Sequence, residues 1–353
     1  MSAFWNETDF DAHELVQFVH DRASGLRAIV ALHSTHRGPG GGGVRFWHYQ
    51  DEGAAMRDAL RLSRGMSYKN ALADLPAGGG KGVILADGGK RKTPEMLAAF
   101  GDAIDALGGR YVTAEDVGMT EADMAAIAGR TEFVSGLPVA EGQAGGDPGP
   151  FTSRGIYLGV KAAVRHKLGR SDMEGVHVAI QGTGSVGSGL ARLLAGDGAR
   201  LTLADIDEAR AATLAEELGA AVVPADAIMD VPCDVFSPNA LGAILDDAGI
   251  ARLRASIVAG GANNQLAREG HGEMLAERGI LYAPDYVINA GGIINVTLEY
   301  GARREGRTCE VSEVNARIDR IPDRLVQVWE MADKSGEAPD VVADELARKL
   351  IGR

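Results

Sequence analysis

Residues 176–187 read VHVAIQGTGSVG, an apolar run that ends in Gly182-Thr183-Gly184-Ser185-Val186-Gly187. The run has the character of a buried strand, and GxGxxG marks a turn from strand into helix that cradles the pyrophosphate of a dinucleotide. Glycine is needed there for the tight turn, for main-chain approach to phosphate and for close helix packing. The next strand ends in Asp205, 18 residues after Gly187. A carboxylate at that place accepts hydrogen bonds from the adenosine ribose hydroxyls. Ile206 and Asp207 follow without a cation for a 2′-phosphate, so NAD is favoured over NADP. Alone, the motif would also fit a glycine turn in an ordinary α/β sheet, or a methyltransferase with another adenosine cofactor. Strand, helix and acid in sequence favour the dinucleotide, with Gly182, Thr183, Gly184, Ser185, Val186, Gly187 and Asp205 as its ligands.

Outward from this motif, strands at 176–180, 201–204, 234–236, 256–259 and 281–283 alternate with helices at 186–195 and 208–218. Such alternation builds a parallel sheet with helices on both faces, a doubly wound Rossmann-type domain. A chain of 353 residues suits two domains. The Gly- and Pro-rich stretch 136–155 has no periodic element and reads as the connector. The expected division is a substrate-binding and oligomerisation domain over 1–148, joined by a C-terminal helix over about 326–353, and an NAD-binding domain over 149–325. The active site is expected in the cleft between them. The first domain also reads as α/β: a short amphipathic helix and an apolar strand within 14–33, a glycine turn at 38–43, a helix over 52–67, a strand at 82–86, a helix over 93–107 and a strand at 111–113. The tail from 311 reads as a pair of amphipathic helices.

Composition excludes several classes of function. A formal net charge of -13 opposes binding to nucleic acid or anionic lipid, and no local basic patch offsets it. Cys233 and Cys309 are far apart and outside any CxxC spacing, which fits a reducing cytoplasm and neither a disulfide framework nor a cysteine metal site. His13-Glu14 lacks the second histidine of HExxH, since Gln17 stands there, so no metal is expected. The acidic start has no signal-peptide pattern, and no apolar run is long enough to span a membrane. Tyr157 and Lys161 have a YxxxK spacing but precede the glycine motif, which reads as chance on a helix. With 48 glycines and 5% aromatics, close backbone approaches are expected in quantity.

Two lysines, Lys69 and Lys81, bracket a second glycine run, Gly78-Gly79-Gly80. Most lysines are solvated surface groups. Lys81, however, lies between Gly80 and Gly82 at the head of an apolar strand, where burial and a second lysine would lower its pKa towards proton exchange near neutrality. A Walker phosphate loop is excluded, because Leu75 and Gly82 stand where Gly and Ser or Thr are required. Asp116 alone would read as a helix cap or turn residue and gains meaning only with Lys81.

At this point the sequence resembles the leucine, valine and phenylalanine dehydrogenases, relatives of glutamate dehydrogenase. The stretches that carry the resemblance are Gly42-Gly43-Val44-Arg45, Gly65-Met66-Ser67-Tyr68-Lys69-Asn70, Gly78-Gly79-Gly80-Lys81, Thr113-Ala114-Glu115-Asp116-Val117, Gly260-Gly261-Ala262-Asn263-Asn264-Gln265 and Tyr282-Ala283-Pro284-Asp285-Tyr286-Val287-Ile288-Asn289-Ala290-Gly291-Gly292. The resemblance implies NAD-dependent, reversible oxidative deamination of an amino acid to a 2-oxo acid and ammonia. It implies Lys81 and Asp116 as catalytic groups, Gly43, Lys69 and Asn264 as substrate ligands with Lys69 on the carboxylate, and Thr152 at the nicotinamide amide. It further implies a side-chain pocket of Gly41, Met66, Ala114, Ile293 and Val296, all uncharged, and hence an apolar amino acid. Ala114, Ile293 and Val296 look like the leucine and valine enzymes, whereas Gly41 replaces a commoner leucine and leaves room for an aromatic substrate such as phenylalanine. Glutamate-type relatives place a lysine at Gly41 and a serine at Val296. Asn239 and residues 297–306 depart from the family pattern. A symmetric homo-oligomer is also implied. A catalytically silent NAD-binding regulator is the alternative of another class, opposed by the joint presence of Lys69, Lys81 and Asp116.

Overall fold

The computed structural model of the protein describes residues 5, 7, 9–86, 91–140 and 142–353. The chain divides into two units, Met1–Pro148 with Ile293–Val314 and Ala347–Arg353, and Gly149–Gly292 with Asn315–Leu346. The break at Pro148 falls in the stretch read as a connector, but the C-terminal third is divided differently from the expectation. Ile293–Val314 belongs to the first unit, and residues 326–346 belong to the second. Local bonding explains the tail: Trp329 is fully buried and donates its indole N–H to the Tyr282 carbonyl at 2.9 Å, whereas Arg353 donates to the His33 carbonyl at 2.6 Å.

The first unit begins β1 (Leu15–Asp21), β2 (Leu26–Ser34), β3 (Gly40–Trp47), α1 (Glu52–Leu72), β4 (Gly78–Leu85), α2 (Pro94–Asp105), β5 (Tyr111–Glu115) and α3 (Glu121–Ala128). The sheet order is β1-β2-β4-β3-β5, with β3 parallel to β4 and β5, and β2 antiparallel to β1 and β4. Two expectations are corrected here. Residues 15–21 form a strand and not a helix: Leu15, Val16 and Val19 fit a helical stripe equally well, but all seven residues pair with β2 across a turn at Gly25, whose φ is +72°. The glycine run expected as a turn is strand from Gly40 onward.

Strand β2, interior to the sheet, is covered on both faces, so its side chains divide with the two-residue period. Ala28, Val30 and Leu32 pack with Phe100, Ile104, Met124 and Ile127, while Ile29 and Ala31 pack with Ala55, Ala59 and Leu60 of α1. Helix α1 starts on a side-chain cap, Asp51 accepting from Ala54 N–H at 2.7 Å. It carries Ala55, Ala59, Ser63 and Ser67 at four-residue spacing, all buried. This ridge of small residues lets the helix rest on β4. A Cβ at Gly79 would stand 2.2 Å from the backbone nitrogen and hydroxyl of Ser67 and 2.3 Å from the Ser63 carbonyl. The glycine run therefore serves helix–strand contact. Gly79→Ala is expected to destabilise the unit by about 3 kcal/mol through overpacking, a fall of roughly 6–12 °C in Tm; an unchanged Tm by calorimetry would show that helix and strand can separate at no cost.

The second unit opens with α4 (Gly149–Leu168), whose first turns lie inside the stretch expected to lack periodic structure. It continues β6 (His177–Gln181), α5 (Ser185–Gly196), β7 (Arg200–Ala204), α6 (Glu208–Leu218), β8 (Ala221–Val222), β9 (Cys233–Pro238), α7 (Asp247–Arg252), β10 (Ala255–Val258), α8 (His271–Glu277), β11 (Leu281–Tyr282) and α9 (Asp285–Ile288). Helix α10 (Gly291–Arg304) leads into the first unit, and α11 (Val311–Ile318), α12 (Ile321–Ser335) and α13 (Pro339–Leu350) form a tail of three helices where two were expected. All six strands are parallel, in the order β11-β10-β9-β6-β7-β8. The chain runs outward from β6 through β7 to β8, then returns to lay β9 on the other side of β6. In doubly wound sheets ligands bind where the order reverses, beyond the carboxyl ends of the strands. The GxGxxG turn follows β6 at that place. Tyr157 and Lys161 both bond Asp197, at 2.5 and 2.7 Å, tying α4 to the end of α5, so their spacing is structural. Among the described residues, no helix is long and apolar enough to cross a membrane.

Candidate active site

In the first unit the fold joins β4, β3 and the end of β5 around one buried amine. Lys81 on β4 is 5% exposed, and its Nζ donates to Asp116 Oδ2 at 2.6 Å. Arg45 on β3 donates to the same oxygen through Nε at 3.0 Å and to Asp58 through Nη1 at 2.9 Å. Tyr49 donates its hydroxyl to Asp58 at 2.6 Å. Two cations and two carboxylates thus alternate as Lys81, Asp116, Arg45 and Asp58. Burial pushes the Lys81 amine below its ordinary range, with Asp116 opposing and Arg45 assisting the shift. Burial alone would raise the Asp116 carboxyl, but Lys81 and Arg45 hold it at about 2. The lysine can therefore exchange its proton while its partner stays charged.

Gly43 fixes this pair from behind. A Cβ there would lie 2.7 Å from the Glu115 carbonyl and 2.8 Å from Asp116 Cβ, so any side chain would displace the carboxylate. Lys69 is half-buried in the last turn of α1, after the turns at Ser63 and Ser67 that rest on Gly79. The structure thus brings Gly43, Lys81 and Asp116 together, with Lys69 on the same unit. Sequence reasoning quoted Arg45 without giving it a role. Its signal was an arginine two residues beyond Gly43 in a strand with little solvent exposure.

A cavity of about 240 Å³ opens in the same unit, lined among others by Gly41, Val112, Ile293, Thr297, Tyr300 and Arg304. Gly41 and Gly43 lie two apart on β3 and pair with Val112 and Ala114 on β5, which puts the cavity on the Asp116 side of the sheet, roughly 7 Å along the strand. Of the five expected pocket residues the cavity takes in Gly41 and Ile293. Met66 instead stands against Gly42, Val296 against Gly136, and Ala114 is buried within β5. A Cβ at Gly41 would meet Asn70 Nδ2 and Ala77 Cβ at 3.4 and 3.5 Å, ordinary contact distances, so the backbone tolerates a Cβ at this lining position of the cavity.

In the second unit the glycine turn has the form its sequence requires. Gly182 takes φ +87°, and a Cβ at Gly187 would meet the Gly182 carbonyl at 1.9 Å. At Gly184 a Cβ would meet nothing within 4 Å, and as N-cap of α5 it offers no side-chain cap. The helix N–H groups beyond Gly184 and Ser185 therefore face open space, the geometry that accepts a pyrophosphate. Thr183 donates its N–H and hydroxyl to Asp205 Oδ2 at 2.6 and 2.9 Å, while Asp207 N–H and Arg210 Nη2 reach Oδ1 at 2.9 and 2.8 Å. Burial opposes ionisation of Asp205, yet these donors hold its carboxyl far below the usual range. Arg210 and Arg192, the latter paired to Glu217 at 2.6 Å, line a hollow with Thr183, Gly184 and Ser185. These arginines are the residues that reading along the strand missed, because the first turn of α6 folds Arg210 back onto Asp205.

Val186 is half-buried in the first turn of α5, and Thr152 occupies the first turn of α4. Asn264 is exposed in a left-handed conformation, φ +52°, with its carbonyl accepting from Ala243 N–H at 2.7 Å. Asn239, one of the departures from the family pattern, accepts from Gly261 N–H at 2.9 Å and donates to Ser237, locking the loop ends beyond β9 and β10.

The family model described as "Glu/Leu/Phe/Val dehydrogenase, dimerisation domain" matches residues 13–133, and that described as "Glutamate/Leucine/Phenylalanine/Valine dehydrogenase" matches residues 201–347. The leucine dehydrogenase of Thermoactinomyces intermedius is 46% identical over 97% of this chain and 91% of its own length. The valine dehydrogenase of Streptomyces albus is 42% identical over 97% and 93%. The crystal structure of L-tryptophan dehydrogenase from Nostoc punctiforme superposes with a TM-score of 0.83 at 41% identity, covering 96% of both chains. With a glycine cradle on one unit and a buried lysine–carboxylate pair on the other, the chain belongs to the Glu/Leu/Phe/Val dehydrogenase family of amino-acid dehydrogenases.

Proposed function

We propose that the protein catalyses the reversible oxidative deamination of an apolar L-amino acid, with leucine, valine and isoleucine first and phenylalanine as the second reading, giving the 2-oxo acid and ammonia. The observation that carries this is the desolvated Lys81 amine bonded to an ionised Asp116. Lys69 holds the substrate carboxylate by a charge-assisted hydrogen bond, and Asn264 and Gly43 help to orient the substrate. NAD, held by the glycine turn with Thr152 at its amide, supplies a hydride acceptor for the substrate Cα. Neutral Lys81 then takes a proton from the water that attacks the resulting imine. As the carbinolamine collapses, Lys81 returns the proton to the departing amine, and Asp116 stabilises the ammonium form of the lysine throughout. The relatives named above, each acting by its name on an uncharged amino acid, support the substrate class.

NAD is favoured over NADP because each arginine near the ribose site is committed to a carboxylate, Arg210 to Asp205 and Arg192 to Glu217. Asp205→Ser is expected to free Arg210 and to shift the NADP-to-NAD ratio of kcat/KM upward on the order of tenfold; an unchanged ratio in steady-state assays would refute the assignment. The dimerisation domain named for residues 13–133 supports a homo-oligomer, and free Cys233 and Cys309 suit a reducing cytoplasm. The reading is tested by mixing the protein with NAD and, separately, leucine, valine, isoleucine, phenylalanine, tryptophan and glutamate while following absorbance of the reduced cofactor. Turnover is expected with the apolar substrates, and its absence with all of them overturns the proposal.

A further inference from the structure

Helix α10 presents two different faces to the first unit. Asn295 and Glu299, both buried, bind the segment between α3 and α4: Asn295 Oδ1 accepts from Gly145 N–H at 2.9 Å and Glu299 Oε2 accepts from Gly136 N–H at 3.0 Å. Ile293, Thr297, Tyr300 and Arg304 fall on the opposite face and line the cavity that begins at Gly41. From Ile293 to Arg304 is three helical turns, roughly 16 Å, more than an isobutyl or isopropyl side chain can occupy. A cavity of about 150 Å³ suffices to take up benzene, and this one measures about 240 Å³.

The chemistry changes along its length. Gly41, Val112 and Ile293 are apolar or bare backbone, whereas Thr297 and Tyr300 bring two hydroxyls, three positions apart on one helix face. Neither hydroxyl bonds to another of the described residues. The Tyr300 ring lies under Arg303, whose guanidinium is 5.4 Å from the ring centroid and whose Nε donates to Glu299 Oε1 at 2.9 Å. The charged residues at this end are committed elsewhere, Arg304 to Glu132 at 2.7 Å and Glu305 to Arg307 at 2.8 Å. The end is thus polar but offers no unpaired charge to an acidic or basic side chain.

We infer that Thr297 and Tyr300 are specificity-determining residues, and that the pocket takes an aromatic side chain carrying a hydrogen-bonding ring group, an indole N–H or a phenol hydroxyl. The inference rests on the amino-acid dehydrogenase reading above and moves its first choice of substrate from the branched-chain to the aromatic amino acids. An aryl ring fills the stretch beside Gly41 and Val112, and its polar atom reaches the two half-buried hydroxyls, which a purely aliphatic substrate would leave to water.

The test measures kcat/KM with NAD for tryptophan, tyrosine, phenylalanine and leucine in the wild type, Tyr300→Phe, Thr297→Val and Gly41→Leu. Wild type is expected to use tryptophan or tyrosine better than phenylalanine. Tyr300→Phe and Thr297→Val should each lower the ratio of the polar-ring substrate to phenylalanine roughly three- to tenfold, the effect of one neutral hydrogen bond. Gly41→Leu should lower the ratio of all three aromatic substrates to leucine. Efficient turnover of leucine with phenylalanine, tyrosine and tryptophan all poor, or variants that scale every substrate equally, would overturn this inference and leave the parent reading standing. No turnover with any amino acid would instead defeat the parent reading.

Discussion

Lys81→Ala is expected to lower kcat by about 100- to 10,000-fold, the usual contribution of a positioned acid–base group, while NAD still binds to the other unit's glycine turn. The size follows from the environment. Lys81 is buried, its amine is depressed by desolvation, and it has a bonded carboxylate that stays ionised down to a pH of about 2. No other amine in the four-member charge chain can replace it, since Arg45 does not give up its proton in proteins. The loss should fall on kcat in both directions of the reaction, because the same proton is taken from water in deamination and returned to water in amination. Lys69→Ala should instead act chiefly on KM, as a lost carboxylate ligand. Full turnover by Lys81→Ala, with cofactor binding checked by fluorescence titration, would remove the residue from the mechanism.

Much of this was legible in the residues. The spacing of Gly182, Gly184 and Gly187 carries its own geometry, because Gly182 takes a left-handed φ of +87° and a Cβ at Gly187 would lie 1.9 Å from the Gly182 carbonyl, positions that only glycine fills. Lys81 was conspicuous for a related reason: the glycines beside it mark close packing, Gly80 against Tyr111 and Gly82 against Phe100 and Val44, and an amine in such a place is buried. What local pattern could not supply was pairing between distant elements. Arg45 reaches Asp116 across 71 positions, and α10 closes a cavity that starts at Gly41 although the two are separated by most of the chain. Residues 15–21 were misread for a similar reason. Their apolar spacing suits helix and strand alike, and only pairing with β2 decides.

Asp116→Asn should produce the second large effect, with a signature in pH as well as in rate. In the wild type Asp116 sits at about 2 instead of the ordinary 3.8. It therefore contributes about 2 kcal/mol of stability, present above pH 4 and lost as the pH falls towards 2. Asparagine keeps the shape but removes the charge, leaving Lys81 and Arg45 with Asp58 as the remaining anion of the chain. Removing one partner of a buried pair costs about 3–5 kcal/mol, but lysine can relieve that cost by shedding its proton. The Lys81 amine should then fall further below its ordinary range, so the folded variant binds fewer protons than the unfolded chain over a wider interval. Its stability deficit should be largest above pH 4, shrink as the pH falls towards 2, where wild-type Asp116 loses its own contribution, and shrink again as the pH rises and Lys81 sheds its proton. The rising limb of the kcat profile, which tracks neutral Lys81, should move to lower pH by about a unit or more. The plateau should drop by about 100-fold, because the ammonium form is no longer stabilised during proton transfer. Denaturant titrations and pH–rate profiles of the two proteins read these effects separately. A limb that stays in place or moves upward would mean that Asp116 does not set the basicity of Lys81, and that the lysine's depression comes from burial and Arg45 alone.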